Sequence, residues 1–160
     1  MDESVVRTVV DNVVRQLGGG ASDMTLEAAI PLAAKVRKKA AEMGIKIVVA
    51  ISNKAARPVL VECEDDSYIA SYDIAVQKAY TAVAVKMSTL TLKPLAQPGG
   101  PLYGIQFTND GQIVVFGGGE PLKNANGEII GGLGVSGGSE EQDAVLAAYG
   151  KELFERNGGN

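Results

Sequence analysis

The chain has 160 residues, of which 46% are hydrophobic, and its formal net charge at pH 7 is −4. This length allows one domain with a substantial core, and the small negative charge argues against nucleic acid or an anionic membrane as a partner. No apolar run has the length of a membrane-spanning helix, so we expect a cytoplasmic protein. Because Cys63 is the single cysteine, an intrachain disulfide is excluded.

Histidine is absent from the sequence. Its absence excludes Ser-His and Cys-His nucleophile pairs and removes the usual nitrogen ligand of zinc, copper and haem iron. Any catalysis must therefore use carboxylates, lysine, tyrosine, backbone amides or a bound cofactor. With only one cysteine as well, we predict no metal site.

Residues 2–17 form an amphipathic segment of helical length. At roughly 100° per residue, seven apolar side chains share one half of the helical wheel, opposite Arg7, Asp11 and Arg15. The glycines that follow indicate a flexible linker over 18–23, so we predict a targeting helix at 1–17 tethered to a domain at 24–156. A helix docked on its own domain or on a sister subunit is the alternative. The predicted targeting residues are Val5, Val6, Val9, Val10, Val13, Val14 and Leu17.

Helices and strands then alternate along the domain. Thr25 is suited to cap a helix that runs to about residue 43, with a kink or a late start at Pro31. Residues 45–51 and 57–62 predict two strands that pair antiparallel.

The second half of the domain is predicted to begin with an alanine-rich helix over 67–87, whose small side chains allow close packing against a sheet or a subunit. Hairpin signals at 109–111 and 126–127 flank predicted strands at 112–116 and 128–135, and a capping box at Ser139 begins a helix that runs to about Arg156. Together these segments predict an α+β fold with one antiparallel sheet.

The run from Gly132 to Gly137 satisfies the dinucleotide pattern GxGxxG. Too few residues follow the last helix to complete a βαβ unit, which argues against dinucleotide binding. Backbone amides near Gly118, Gly119, Ser136 and Gly137 favour an anionic group such as a carboxylate. Turns that serve only tight packing are the alternative.

Three ordered motifs carry a family resemblance: Lys78 to Ala82, Phe116 to Leu122, and Gly127 to Gly138 followed by Gln142-Asp143. The chain resembles the GlcG/HbpS-like family, which includes the C-terminal domain of propanediol-utilisation cobalamin adenosyltransferases. The resemblance implies a profilin-like fold with a five-stranded antiparallel sheet flanked by helices, assembly into homo-oligomers and, in some members, haem binding. Without histidine, haem would bind without an iron ligand from the protein, or the iron would need a methionine, a hydroxyl or one of four tyrosines as its ligand: Tyr68, Tyr72, Tyr80 or Tyr103. The candidate ligand-binding residues are Lys78, Thr81, Gly118, Gly119, Pro121, Ser136 and Gly137.

The segment 1–17 is also similar to the encapsulation peptides of bacterial microcompartments, whose apolar stripe packs on shell or cargo proteins. The two resemblances together predict a microcompartment-associated accessory protein that binds a tetrapyrrole, haem or corrinoid-related, or a small anionic metabolite. One alternative is a small enzyme, of isomerase or lyase type, acting on a hydroxy acid or aldehyde through Lys78. The other is a structural assembly protein without a ligand.

Overall fold

A computed structural model describes residues 2–17 and 21–160, and within the first helix it describes the side chains of residues 2–10 and 13. Among these residues, no helix has the length and apolar character needed to cross a bilayer. The elements in chain order are α1 (Glu3–Leu17), α2 (Leu26–Glu42), β1 (Val48–Asn53), β2 (Pro58–Cys63), α3 (Ser71–Ala84), α4 (Thr89–Leu95), β3 (Gly119–Lys123), β4 (Ile129–Ser136) and α5 (Glu140–Arg156).

The strands form one antiparallel sheet in the order β2-β1-β4-β3. The predicted α+β class with an antiparallel sheet is confirmed, whereas the expectation of five strands is wrong, because the described residues form four. The edge strands carry Pro58 and Pro121, which an edge tolerates because one side of the strand needs no hydrogen-bond donor.

The sheet lies between two helical layers. Val49 and Ile51 of β1 face the larger core cluster with Val36 of α2 and Leu146 of α5. The alternate residues Val48 and Ala50 face Ala75 and Ala79 of α3. This alternation follows from the two-residue period of a strand.

The packing of α3 on β4 depends on glycines of the GxGxxG run. A Cβ added at Gly134 would lie 1.9 Å from the carbonyl oxygen of Ala75, and one at Gly132 would lie 2.3 Å from that of Ala79. Both glycines therefore allow the backbone of α3 to approach the sheet. The pattern that resembles a dinucleotide fingerprint serves helix–sheet packing, and the expected role of the α3 alanines is confirmed.

The predicted strand at 112–116 is not formed. Its backbone is instead held by α3, since Val114 N donates to Thr81 Oγ1 at 3.0 Å and Thr81 Oγ1 lies 3.3 Å from Gln112 O. The strand of this region begins later, at Gly119. The predicted hairpin signal at 109–111 is likewise wrong, because Asn109, Asp110 and Gly111 all have positive φ and form a short 3-10 turn.

The start of α2 at the Thr25 cap is confirmed, whereas the start of α3 differs from expectation. α2 begins at Leu26, directly after Thr25, whose hydroxyl accepts a hydrogen bond from Ala28 N, and it continues through Pro31 without the expected late start. α3 begins at Ser71, not at residue 67, because Asp66, with a φ of 68°, is not helical. The capping box that begins α5 is confirmed.

The N-terminal segment is helical as predicted, and the described valines of its stripe, Val5, Val6, Val9, Val10 and Val13, are 43–54% exposed. The side chains of Val14 and Leu17, and residues 18–20 of the predicted linker, lie outside the described residues.

The last residues of that linker are attached to the domain. Ala21 O accepts a hydrogen bond from Asn124 Nδ2 at 3.0 Å, Ser22 O accepts one from Lys54 Nζ at 3.2 Å, and Asp23 Oδ1 accepts one from Lys54 N at 2.9 Å. Residues 21–23 therefore belong to the folded domain and not to a flexible linker.

Candidate functional site

Two adjoining clefts lie where β4 ends and α5 begins. The first has a volume of about 260 Å³ and the second about 550 Å³. Tyr68, Gly137 and Gly138 line both of them, so the two clefts meet along this backbone. The first is otherwise lined by Ala70, Ser71, Ile74, Phe116, Ser136, Glu140 and Asp143, and the second by Met43, Gly44, Ile45, Lys46, Asp66, Ser139 and Gln142.

A buried lysine lies beneath the first cleft. Lys78 of α3 is 0% exposed, and its Nζ donates to Asp143 Oδ2 at 3.0 Å and to Val135 O at 2.8 Å. The ring centroid of Phe116 lies 5.1 Å from the same nitrogen, within the range of a cation–π contact. Asp143 Oδ1 accepts a further bond from Gly138 N at 2.9 Å. This arrangement joins α3, the end of β4 and the first turn of α5 at the floor of the cleft.

Burial lowers the pKa of Lys78 below its ordinary value, and the charge of Asp143 opposes this shift. A lysine with a lowered pKa can serve as a base or a nucleophile. Here, however, the ammonium group is enclosed and donates hydrogen bonds to a carboxylate and a carbonyl. A substrate in the cleft therefore does not reach the Lys78 nitrogen. The geometry gives no support to the enzyme alternative in which Lys78 reacts.

A second ion pair lies at the rim. Glu140 accepts hydrogen bonds from Lys93 Nζ and, at 3.1 Å, from Gly117 N. These two donors hold the pKa of Glu140 below its usual value. Both carboxylates that line the first cleft, Glu140 and Asp143, are thus neutralised by lysines, which reduces their repulsion of an anionic ligand.

The seven candidate residues fall into two groups. Ser136 and Gly137 line the first cleft. Lys78 is joined to it through Asp143, and Gly118 packs against Lys78, since a Cβ there would lie 2.6 Å from Lys78 Nζ. The others lie in the fold beyond that wall and serve internal contacts. Thr81 binds the 112–114 segment, Gly119 N donates to Thr89 Oγ1 at 2.9 Å, and Pro121 is buried in β3 opposite Gly132.

One of the amides expected to receive an anion, Gly119 N, is engaged with Thr89 Oγ1. The amides of Gly117 and Gly138, next to the candidate residues, donate to Glu140 and Asp143. Ser136 Oγ donates to Ser71 Oγ at 3.0 Å. A small anion would have to displace these bonds. The ligand-binding role of the candidate residues therefore stays a prediction.

Sequence reasoning included Asp143 only as part of a family motif, and it missed Glu140. Asp143 and Glu140 had a signal, because both lie in the first turn of a capped helix, where carboxylates are favoured, but their lysine partners are distant in sequence. Tyr68 precedes α3 in an exposed turn. It was one of several tyrosines considered as an iron ligand, and no local pattern distinguished it from the others.

Comparisons with known proteins agree with this fold. A model of the family described as haem degrading protein HbpS-like matches residues 24–152. The uncharacterized 15.0 kDa protein of the dhaT-dhaS intergenic region of Citrobacter freundii is 40% identical over 131 residues, which are 82% of this chain and 92% of that protein. A solved structure described as a PduOC:heme complex is 34% identical, with a TM-score of 0.77, and the match covers 81% of this chain and 94% of that one.

A longer relative is the corrinoid adenosyltransferase PduO of Salmonella typhimurium, which is 39% identical over 110 residues. That match covers 69% of this chain but only 32% of the enzyme, so the chain spans about a third of the length of this relative. The match of the family model and the 40% identity to a relative of similar length both apply to the domain that carries the clefts. The chain belongs to the haem degrading protein HbpS-like family.

Proposed function

We propose that this chain is an accessory protein of a bacterial microcompartment that holds a tetrapyrrole, haem or a corrinoid-related group, in the two joined clefts. The observation that carries the proposal is the 34% identity, over 94% of its length, to a chain crystallised as a haem complex. The corrinoid adenosyltransferase among the relatives supports the same ligand class.

The clefts have suitable chemistry for a flat amphipathic ring. Phe116 and Ile74 supply apolar surface in the first cleft, and Lys46 supplies a cation in the second that can pair with a propionate. Asp66 is a carboxylate of the second cleft that would repel a propionate, whereas Glu140 and Asp143 of the first cleft are paired with lysines. A bound haem would supply iron redox and ligand-exchange chemistry, and the protein residues would orient the ring and limit the access of water.

Titration with ferric haem, followed by the Soret band, tests the proposal. We expect saturable binding to one site per chain. Ala70→Trp would place a large ring in the first cleft and should raise Kd by about tenfold or more, the consequence of losing one good contact surface. Ala84→Trp, at the exposed opposite end of α3, is the matched control. A parallel titration with cob(III)alamin separates the two ligand classes.

Two results would contradict the proposal. One is a Soret change that rises linearly with haem and never saturates. The other is equal binding by the Ala70→Trp and Ala84→Trp variants, which would place the ligand outside the clefts.

The exposed valines of α1 support the microcompartment association. A row of half-exposed apolar side chains on one helix face is the form in which an amphipathic helix docks into a groove of another protein. Residues 1–20 fused to a fluorescent reporter should form puncta in cells that make the compartment, and Val9→Asp with Val13→Asp should abolish them. Diffuse fluorescence of the unmutated fusion would refute this association while leaving the ligand proposal intact.

A further inference from the structure

The chain has five tyrosines and no histidine, which makes a tyrosine a candidate ligand for haem iron. Tyr80 is half-buried, and its hydroxyl accepts a hydrogen bond from Asn109 Nδ2 at 2.9 Å. The ring of Tyr149 lies 5.8 Å from Lys39 Nζ on the outer helical layer. Tyr72 and Tyr103 are exposed, but neither lines the clefts. Tyr68 is the tyrosine that lines both clefts.

The other donors of the clefts are engaged or unsuited. Lys78 Nζ is bonded to Asp143 and Val135. The hydroxyls of Ser71 and Ser136 are buried and bonded to each other. Met43, in the second cleft, packs against the hydrophobic core. Tyr68, in contrast, is 73% exposed, and no hydrogen bond of its hydroxyl occurs within the described residues.

We infer that the Tyr68 phenolate is the axial ligand of ferric haem in the joined clefts, an inference that rests on the proposed function. A tyrosinate is an established ligand of haem iron, and a hard anionic oxygen favours the higher charge of the ferric state. Lys46 and Asp66 are the charged residues among those that line the second cleft, and Glu140 and Asp143 of the first cleft are paired with lysines.

The chemistry of this ligand has a consequence for retention. If a one-electron reductant such as dithionite reduced the ferric iron and the phenolate oxygen took a proton from water, the iron–oxygen bond would break, leaving ferrous iron, a neutral phenol and the oxidised reductant. The protein should then hold ferrous haem more weakly than ferric haem. A family member built on this ligand would retain its haem under oxidising conditions and release it on reduction.

The experiment compares four haem-loaded proteins by absorption and resonance Raman spectroscopy: the parent, Tyr68→Phe, the matched control Tyr72→Phe, and Met43→Leu. The parent and the control should show a phenolate-to-iron charge-transfer band and phenolate vibrations, and Tyr68→Phe should lose both. The Kd for ferric haem should rise by about tenfold in Tyr68→Phe only. Dithionite should weaken haem binding in the parent and have little effect on the Kd of Tyr68→Phe.

The outcomes separate this inference from the proposed function. Unchanged spectra in Tyr68→Phe, or a spectrum lost instead in Met43→Leu, would overturn the assignment of Tyr68 while haem binding itself stands. Failure of the parent protein to bind haem saturably would overturn the proposed function and the ligand together. Because Tyr68 is largely exposed, its replacement should leave the melting temperature unchanged, so a loss of signal reports ligation and not folding.

Discussion

Replacing Lys78 with methionine removes the buried cation while keeping nearly the length of the side chain. The Asp143 carboxylate, 5% exposed, would keep its bond from Gly138 N but lose the ammonium group 3.0 Å away. Removing one partner of a buried pair costs about 3–5 kcal/mol, since the other charge is left without compensation. We expect the free energy of unfolding of Lys78→Met to fall by that amount.

Urea denaturation at pH 7, followed by circular dichroism, measures this loss, and an unchanged m-value would show that the comparison is valid. Adding Asp143→Asn to Lys78→Met should recover about 2 kcal/mol or more, because the neutral amide can still accept from Gly138 N. Lys93→Met is the matched control: its pair with Glu140 is 42% exposed on the lysine side, so it should cost less than about 1 kcal/mol. A loss in Lys78→Met no larger than in Lys93→Met would refute the reasoning.

Three further perturbations test other parts of the structure. Gly134→Ala should destabilise the protein by about 2–3 kcal/mol, because its Cβ would lie 1.9 Å from the carbonyl oxygen of Ala75. Gly44→Ala, whose Cβ would have nothing within 4 Å, should cost about 1 kcal/mol through its positive φ alone. Equal losses of unfolding free energy in urea would contradict the packing argument. The depressed pKa of Glu140 contributes stability that is present above its ordinary value of 4.5 and is lost as the pH falls through the lower pKa of the folded state. The melting temperature of Glu140→Gln should therefore fall less between pH 5 and pH 3 than that of the parent. Parallel curves of melting temperature against pH would rule this out. Deleting residues 2–17 should change the melting temperature little, because the described valines of α1 are exposed; a large drop would favour the docked-helix alternative.

The parts of the fold that sequence predicted well are those set by local patterns. Thr25 and Ser139 each begin a helix because a side chain next to the helix satisfies its first amides. β1 was recognised from a run of apolar β-branched residues, and β4 from the adjacent Asn-Gly turn. In these cases the residues that determine the element lie within it or beside it.

The missed elements depend on distant contacts. β3 contains Gly119 and Pro121, which favour a loop locally, and it becomes a strand because β4 offers a partner to an edge that tolerates proline. The apolar residues at 113–114 favour a strand, but the amide of Val114 donates its hydrogen bond to the hydroxyl of Thr81 and not to another strand. Nothing within either segment shows this.

The candidate site follows the same division. Lys78 was identified from its motif, but its environment depends on Asp143, 65 residues away, and on the approach of β4. The glycines at 132 and 134 were visible as a pattern, yet only the position of α3 shows that they serve packing. Tyr68 was one of four tyrosines that could bind iron, and only the shape of the clefts distinguishes it from the other three.

The attachment of residues 21–24 to the sheet determines which way the clefts would face in an assembly. Ala21 is bonded to the β3–β4 turn through Asn124, and Met24 N donates to Ile130 O at the beginning of β4. The clefts lie at the other end of the same strand, beyond Ser136, roughly 24 Å away at the rise of an antiparallel strand. A partner bound to α1 would therefore lie nearer to the turn end of the domain than to the clefts, and the clefts would stay open to a ligand on the side away from that partner.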